Sequence, residues 1–144
     1  MAHEIKKYFV MEAVDVDKAA LALIDINGKI LTKQAMRFSA DKIKLLWRIS
    51  EFFKKKKLSF SDISGIITVT GPGSFTSIRT SLSIINTWAA VALIPVVGLS
   101  RQDFLSFDDL IKKGTAELKK TKHLKIIQPF YGRPPDITIA KGLK

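Results

Sequence analysis

The chain has 144 residues, 47% of them apolar, and a formal net charge of +11. This length is typical of one domain, and the apolar content is enough for an ordinary core. Without cysteine the chain has no disulfide or thiolate metal site, and its two histidines, His3 and His123, stand too far apart in sequence to indicate a metal cluster. We therefore expect one domain over residues 1–144, with neither a metal nor another cofactor.

Neither a membrane span nor a dedicated nucleic-acid site is predicted. The longest apolar stretch, 88–99, is shorter than the roughly 20 residues that cross a bilayer. The first seven residues are too polar for a signal peptide, so we expect a cytoplasmic protein. The excess of lysine favours polyanions, but the runs 54–57 and 119–125 lack the interleaved aromatic residues that stack on bases. A solvated basic surface is the preferred interpretation.

The first third of the chain predicts an antiparallel meander. β-Branched and apolar residues dominate three segments, 7–16, 19–26 and 29–37. Asn27-Gly28 supplies the positive φ angles that a two-residue hairpin turn needs.

A helix is predicted from Asp41 to Phe53, with Ser39 as its N-cap. One stripe at helical spacing consists of Ile43, Leu46, Ile49 and Phe53. Three further large residues lie off that stripe: Leu45, Trp47 and Phe52. Such a helix has more apolar surface than one sheet face covers, which favours contacts on both sides.

The segment 63–70 predicts a buried strand, followed by a Gly- and Pro-containing turn and a second helix of about five turns. Pro95 to Leu99 predicts the next strand, so the helix is a crossover that makes the two strands parallel. A stripe of this helix also lies outside its inward face: Ser81, Ile84, Trp88 and Val91. Further on, we expect a helix over 108–120 and a strand over 123–128.

The element order indicates an α/β fold with a mixed sheet that begins in a three-strand meander. This order suits the ribonuclease-H-like core of actin-like proteins. Between the buried strand and the second helix lies Gly71-Pro72-Gly73-Ser74-Phe75-Thr76, where an anion would meet backbone N–H groups. The loop lacks the Lys-Ser/Thr ending of a P-loop, which favours a tight turn in which Ser74 or Thr76 caps the helix.

The same loop carries a family resemblance. Gly71 to Arg79, with the sequence GPGSFTSIR, resembles the GPGSFTGLR motif of the TsaB (YeaZ) family. Ile94 to Ser100 is similar to that family's IPVVGVS strand, Lys57 to Ile63 to the lead-in of its buried strand, and Pro129 to Pro134 to its closing segment. The pieces keep their order over about 8–105 plus the tail.

Three departures from the family pattern stand out. The family's first strand usually ends in Asp-Thr-Ser, whereas this chain has Val14-Asp15-Val16-Asp17. Ser77 replaces the glycine that follows the threonine in the family motif. The segment between Ser100 and Lys125 is far shorter than the second lobe that family members commonly have. The resemblance therefore predicts a reduced member in which that lobe is largely missing, with 106–144 as its reduced C-terminal part.

The resemblance implies a non-enzymatic subunit that supports a TsaD-type catalytic partner in threonylcarbamoyladenosine modification of tRNA. A TsaE-type ATPase would join the assembly, and the chain would meet tRNA indirectly. In the family, the first two helices form the contact with the partner and also a homodimer. We expect its apolar centre here at Leu45, Trp47, Phe52, Ile84, Trp88 and Val91.

Two alternatives remain open from the sequence. One is an actin-like enzyme, either a phosphotransferase or a glycoprotease-like peptidase, with Asp15 and Asp17 as metal ligands and Arg79 and Arg133 on phosphate. Turn carboxylates and single arginines are more often structural, and no nucleophile with a paired base is evident. The other alternative is a basic RNA-binding module.

Overall fold

A computed structural model describes residues 6–37, 44–121 and 124–132. Its strands are β1 (Lys7–Glu12), β2 (Lys18–Asp25), β3 (Ile30–Arg37), β4 (Ile63–Gly71) and β5 (Val96–Ser100). Its helices are α1 (Lys44–Lys55), α2 (Phe75–Ala92) and α3 (Phe107–Lys120), and short 3-10 turns occupy Phe60–Asp62 and Arg101–Asp103.

The five strands form one mixed sheet in the order β3-β2-β1-β4-β5. The first three strands pair antiparallel, and β4 lies parallel to both β1 and β5. The predicted meander and the parallel pair joined through α2 are therefore confirmed.

The turn between β2 and β3 differs from the expected one. Gly28 has φ +89°, but Asn27 does not enter the positive-φ region. The Asp25 carboxylate instead accepts hydrogen bonds from the backbone N–H groups of Asn27 and Lys29, at 2.8 and 3.0 Å. A side-chain acceptor at the start of the turn thus replaces the second residue of positive φ that the sequence predicted.

The sheet separates two helical layers. Phe9 of β1 contacts Phe52, Phe53 and the α2 residue Trp88, so α1 and α2 cover one face, called here the front. Its neighbour Tyr8 points to the back face, where Leu118 of α3 packs beside Gly65. Successive strand residues alternate between faces, which is why adjacent residues of β1 serve separate layers.

Helix α1 buries Ile49 and Phe53 of the predicted stripe but not Leu46. The buried residues are Leu45, Ile49, Phe52 and Phe53, whereas Leu46 is 51% exposed. The ring contacts with Phe9 fix this choice, because α1 must turn Phe52 and Phe53 toward the sheet. The predicted cap Ser39 and the stripe residue Ile43 lie outside the described residues.

The C-terminal part corrects one prediction. Residues 124–128 form no strand. The side-chain amide of Asn86 instead accepts from the Ile127 N–H at 2.9 Å and donates to the Ile127 carbonyl at 3.1 Å. One side chain on α2 thus satisfies the two backbone groups that a strand would have paired.

None of the helices in the described part of the chain combines the length and apolar character that a membrane crossing requires.

Candidate functional site

The signature loop, Gly71–Thr76, joins the end of β4 to the start of α2. Ser74 is the N-cap of α2, and its hydroxyl accepts a hydrogen bond from the Ser77 N–H at 3.3 Å. Gly71 has φ +131°, a conformation that side chains of L-residues rarely adopt. The expected combination of a glycine turn and a capping serine is confirmed.

Two other segments fill the space around this loop. The Ser74 N–H donates to the Val14 carbonyl, which follows β1, at 2.9 Å. A side chain at Gly73 would collide with the same carbonyl. The Ser74 amide is therefore already bonded within the chain, and the Val14 carbonyl packs directly against Gly73. This geometry favours a structural clasp over a phosphate cradle.

The closing segment, residues 129–132, packs on the other side of the loop. Phe130 N–H donates to the Thr70 carbonyl at 3.0 Å, and the rings of Tyr131 and Phe75 meet edge to face at 4.7 Å. The Phe130 carbonyl also lies against Gly71, leaving no room for a Cβ atom there. Two pieces of sequence that resemble the family separately are thus in contact in the fold.

The turn after β1 is held by ion pairs. Arg101 donates to both carboxylate oxygens of Asp15, at 3.0 and 2.5 Å, and Lys18 lies 3.9 Å from the same carboxylate. The hydrogen bonds to Asp15 raise the pKa of the Arg101 guanidinium above its ordinary value. Asp17 faces a different cation, Arg37, at 3.7 Å.

These pairs leave little support for a catalytic site at the loop. Asp15 and Asp17 face separate cations, and within the described ranges no three His, Cys, Asp or Glu side chains gather as metal ligands would. Arg79 is exposed on α2, and no carboxylate of the described residues pairs with it. Arg133 lies outside the described residues. The arrangement stabilises the turn and the start of α2.

The front face offers a different kind of surface. An apolar groove of about 650 Å³ runs between α1, α2 and the turn at Phe60–Asp62. We call it the two-helix groove; its apolar lining is Leu46, Ile49, Phe60, Ile84, Trp88 and Val91. Trp88 forms its floor, since the ring packs on Phe9, Phe53 and Phe60 at centroid distances of 4.8–5.5 Å.

The six residues predicted for a partner surface divide into three groups. Trp47 and Val91 are exposed, at 59% and 80%. Ile84 and Trp88 are half-buried and line the groove. Leu45 and Phe52 are core residues, at 0% and 1% exposure, and so cannot form the centre of that surface. They turn inward because they belong to the buried stripe of α1, whose residues Phe52 and Phe53 contact Phe9.

Leu46 and Phe60 were missed as surface residues. The sequence assigned Leu46 to the inward stripe, although α1 exposes half of its side chain. Phe60 is 39% exposed and stacks against Trp88 at 4.8 Å. In the sequence, Phe60 was recognisable only as a large aromatic residue just before a buried strand.

Comparisons with known proteins agree with this fold. A family model described as TsaD, tRNA N6-adenosine threonylcarbamoyltransferase, matches residues 30–122, more than half of the chain. No curated protein sequence matches this chain. Among solved structures, YeaZ from Pseudomonas aeruginosa has a TM-score of 0.60 at 19% identity, over 69% of this chain and 47% of that one.

A second solved structure, described as an uncharacterized protein with similarity to peptidase YEAZ from Pseudomonas aeruginosa, has a TM-score of 0.58 at 18% identity. It covers 67% of this chain, which in turn covers 44% of it. The chain thus spans about half the length of each of these structures. The predicted α/β class, with its ribonuclease-H-like, actin-like core, is confirmed.

Proposed function

The chain belongs to the TsaD family, and on that premise we propose that it is a non-catalytic scaffold subunit that binds a TsaD-type enzyme. It would support that enzyme in forming threonylcarbamoyladenosine (t6A) at position 37 of tRNA. The family match and the YeaZ-like fold confirm the resemblance that the Gly71–Arg79 motif indicated. They support a role related to t6A biosynthesis, and the finer assignment depends on the front face.

The two-helix groove is the observation that carries the proposal. Its rim exposes Leu46 and Val91, which a monomer leaves in water, and Trp47 is exposed on the outer side of α1. Each large apolar side chain that becomes fully buried contributes about 1.5–3 kcal/mol. A partner that inserts apolar side chains between α1 and α2 would cover this rim and reach Trp88 at the floor.

The geometry of the signature loop supports a non-catalytic role. Val14 and Phe130 already occupy the backbone groups around the loop, and Arg101 is committed to Asp15. Among the described residues of this region no hydroxyl lies beside a base that would activate it. The proposed contribution to catalysis is therefore through the partner, whose active conformation the scaffold stabilises.

The proposal includes the wider assembly. A TsaE-type ATPase would join the complex in the cytoplasm, where the complex would act on tRNA. A homodimer through the same two helices would compete with the TsaD-type partner for the groove. Both binding modes depend on the same apolar rim, so one set of variants tests them together.

The test is co-purification with the TsaD-type protein of the same genome, followed by size-exclusion chromatography of the chain alone. Leu46→Asp and Val91→Asp place a charge on the rim without removing a core residue, and we expect either to abolish the complex. Trp88→Asp is a poorer test, because Trp88 packs on three aromatic rings and its loss would disturb the fold.

Leu105→Asp is the matched control. Leu105 is 96% exposed and precedes α3, away from the groove, so this variant should still form the complex. Retention of the complex by both rim variants would refute the proposed surface. A wild-type chain that forms a homodimer but no complex would refute the TsaD-type partner. Hydrolysis of ATP or peptide by the isolated chain would refute the non-catalytic role.

A further inference from the structure

Lysines from separate parts of the sequence gather at one end of the sheet. β1 and β4 are parallel and begin side by side, since Lys7 pairs with Ile63. Lys7 also lies opposite Asp25, where β2 ends and the hairpin turn to Lys29 begins. The first residues of β1 and the hairpin turn therefore lie at the same end, opposite the signature loop.

Helix α1 ends on the front face near the start of β4, at the same end of the sheet. Phe53 contacts Phe60 at 5.0 Å between ring centroids, and Phe60 begins the short turn that enters β4. The Lys56 and Lys57 N–H groups close the helix on the carbonyls of Phe53 and Lys54. The run of lysines from 54 to 57 is consequently placed beside the start of β4, and all four side chains are exposed.

Helix α3 ends on the back face, also near the start of β4. Leu118 packs beside Gly65, the third residue of β4. Lys119 borders a cavity of about 420 Å³ together with Asn27 and Gly28 of the hairpin turn. The C-terminal lysines of α3 thus lie next to the hairpin turn. We define the lysine end as Lys6, Lys7, Lys29, Lys54–Lys57, Lys119 and Lys120.

Within the described ranges, most of the positive charge of this end is not paired with carboxylates. Apart from Lys7, none of its lysines pairs with a carboxylate of the described residues. The nearby carboxylates of Asp25 and Asp62 accept hydrogen bonds from backbone N–H groups. Glu51 and Glu117 lie one helical turn before Lys55 and Lys120, on the same faces of their helices, but neither forms an ion pair with these lysines. At the opposite end, by contrast, Asp15 faces both Lys18 and Arg101.

We propose that the lysine end binds the phosphate backbone of a structured RNA. Packed layers are about 10 Å apart, so the ends of α1 and α3, on opposite faces, are on the order of 20 Å apart and would reach separate phosphate rows. No aromatic residue interrupts the lysine runs, which favours backbone contact without base stacking. The apolar side chains near the hairpin turn, Ile26, Ile30 and Leu31, are 37%, 37% and 45% exposed, so each keeps more than half of its surface covered, which disfavours membrane insertion.

The inference rests on the proposed function only for the choice of tRNA as the probe. The experiment measures binding of the full chain to an unmodified tRNA transcript by fluorescence anisotropy, from 50 to 200 mM salt. The triple variant Lys54→Gln, Lys56→Gln, Lys120→Gln removes three charges from the lysine end. The control Lys18→Gln, Lys33→Gln, Arg37→Gln removes three charges from β2 and β3.

The logarithm of the wild-type association constant should fall linearly with the logarithm of the salt concentration. The lysine-end variant should bind about tenfold or more weakly at low salt, with a slope reduced by about one per lost phosphate contact. The control variant should keep most of the affinity and slope. Equal losses in the two triple variants would overturn the proposal, because net charge alone would then explain binding.

Two other outcomes would also overturn it. One is no binding of the wild type to tRNA at 50 mM salt. The other is binding to phosphatidylglycerol vesicles with no binding to tRNA, which would assign the lysine end to a membrane surface. Formation of the complex with the TsaD-type protein is scored separately, and the lysine-end variant should retain it. Failure of the RNA experiment is therefore distinguishable from failure of the scaffold proposal.

Discussion

The signature loop makes its contacts within the chain, whereas the two-helix groove leaves apolar side chains in solvent. At the loop, Val14, Phe130 and Tyr131 supply backbone and ring contacts from within the chain. At the groove, Leu46 and Val91 remain in solvent. The most recognisable motif of the sequence therefore builds the fold, while the surface proposed for a partner has no motif.

Physical chemistry explains this difference. Backbone hydrogen bonds and positive φ angles require particular residues at particular positions, and such requirements leave a readable pattern. Apolar burial is non-directional, so many large side chains serve equally well on a binding surface. The comparison predicts that substitutions at the loop and in the core change stability, whereas those on the rim change association.

The largest expected effect separates two residues of α1. Phe52→Ala removes a ring that is 1% exposed and should lower the free energy of unfolding by about 3–5 kcal/mol. Trp47→Ala removes a ring that is 59% exposed and should change it by less than about 0.5 kcal/mol. Urea unfolding of the monomer measures both. A comparable loss in the two variants would mean that the outer side of α1 is not a free surface.

Gly71→Ala should have the next largest effect on the free energy of unfolding. The residue has φ +131°, and a Cβ atom would collide with the Phe130 carbonyl. Backbone strain and overpacking together should lower the free energy of unfolding by about 3 kcal/mol. Thr76→Ala, an exposed position at the start of α2, is the control and should be nearly neutral. A neutral Gly71→Ala would show that the closing segment does not press on the loop.

Asn86→Ala tests how the closing segment is held. It removes both hydrogen bonds to Ile127, whose side chain is 7% exposed, and should cost about 2 kcal/mol. Amide hydrogen exchange should accelerate at Phe130, whose N–H donates to Thr70. Thr87→Ala, at the next and exposed position of α2, should leave exchange unchanged. Equal exchange rates of the Phe130 amide in the two variants would mean that Asn86 does not hold the closing segment.

Local patterns predicted most of the fold. β-Branched and apolar segments with turn residues located β1 to β3, short apolar runs located β4 and β5, and the Ser74 cap followed from its position before an apolar helical pattern. The strand predicted over 123–128 was wrong because Leu124 and Ile126 are exposed and Asn86 serves Ile127. No local rule predicts that a side chain 41 residues away replaces a strand partner.

The candidate site was less predictable than the fold. Leu45 and Leu46 are neighbours on a helix with large apolar residues on most sides, so periodicity alone could not choose the buried one. The choice depends on Phe9, which lies in β1 and meets α1 only in the folded chain. The lysine end is likewise a product of topology, because its lysines come from four separate segments.

The smallest expected effect concerns the ion pair beside the loop. A double-mutant cycle with Asp15→Asn and Arg101→Gln should give a coupling of about 0.5–1 kcal/mol, because both side chains are partly exposed. The cycle is needed because Lys18 also faces Asp15, and the single substitution would remove both contacts. The Asp17 and Arg37 pair, 58% and 80% exposed, is the control and should give almost no coupling.

High salt should reduce the coupling between Asp15 and Arg101 without changing the control. Absence of coupling at low salt would mean that hydrogen bonds such as that from Ser74 to Val14 hold the turn without help from charge. The signature-loop end would then be stabilised by backbone geometry alone, and its contrast with the apolar groove would become sharper.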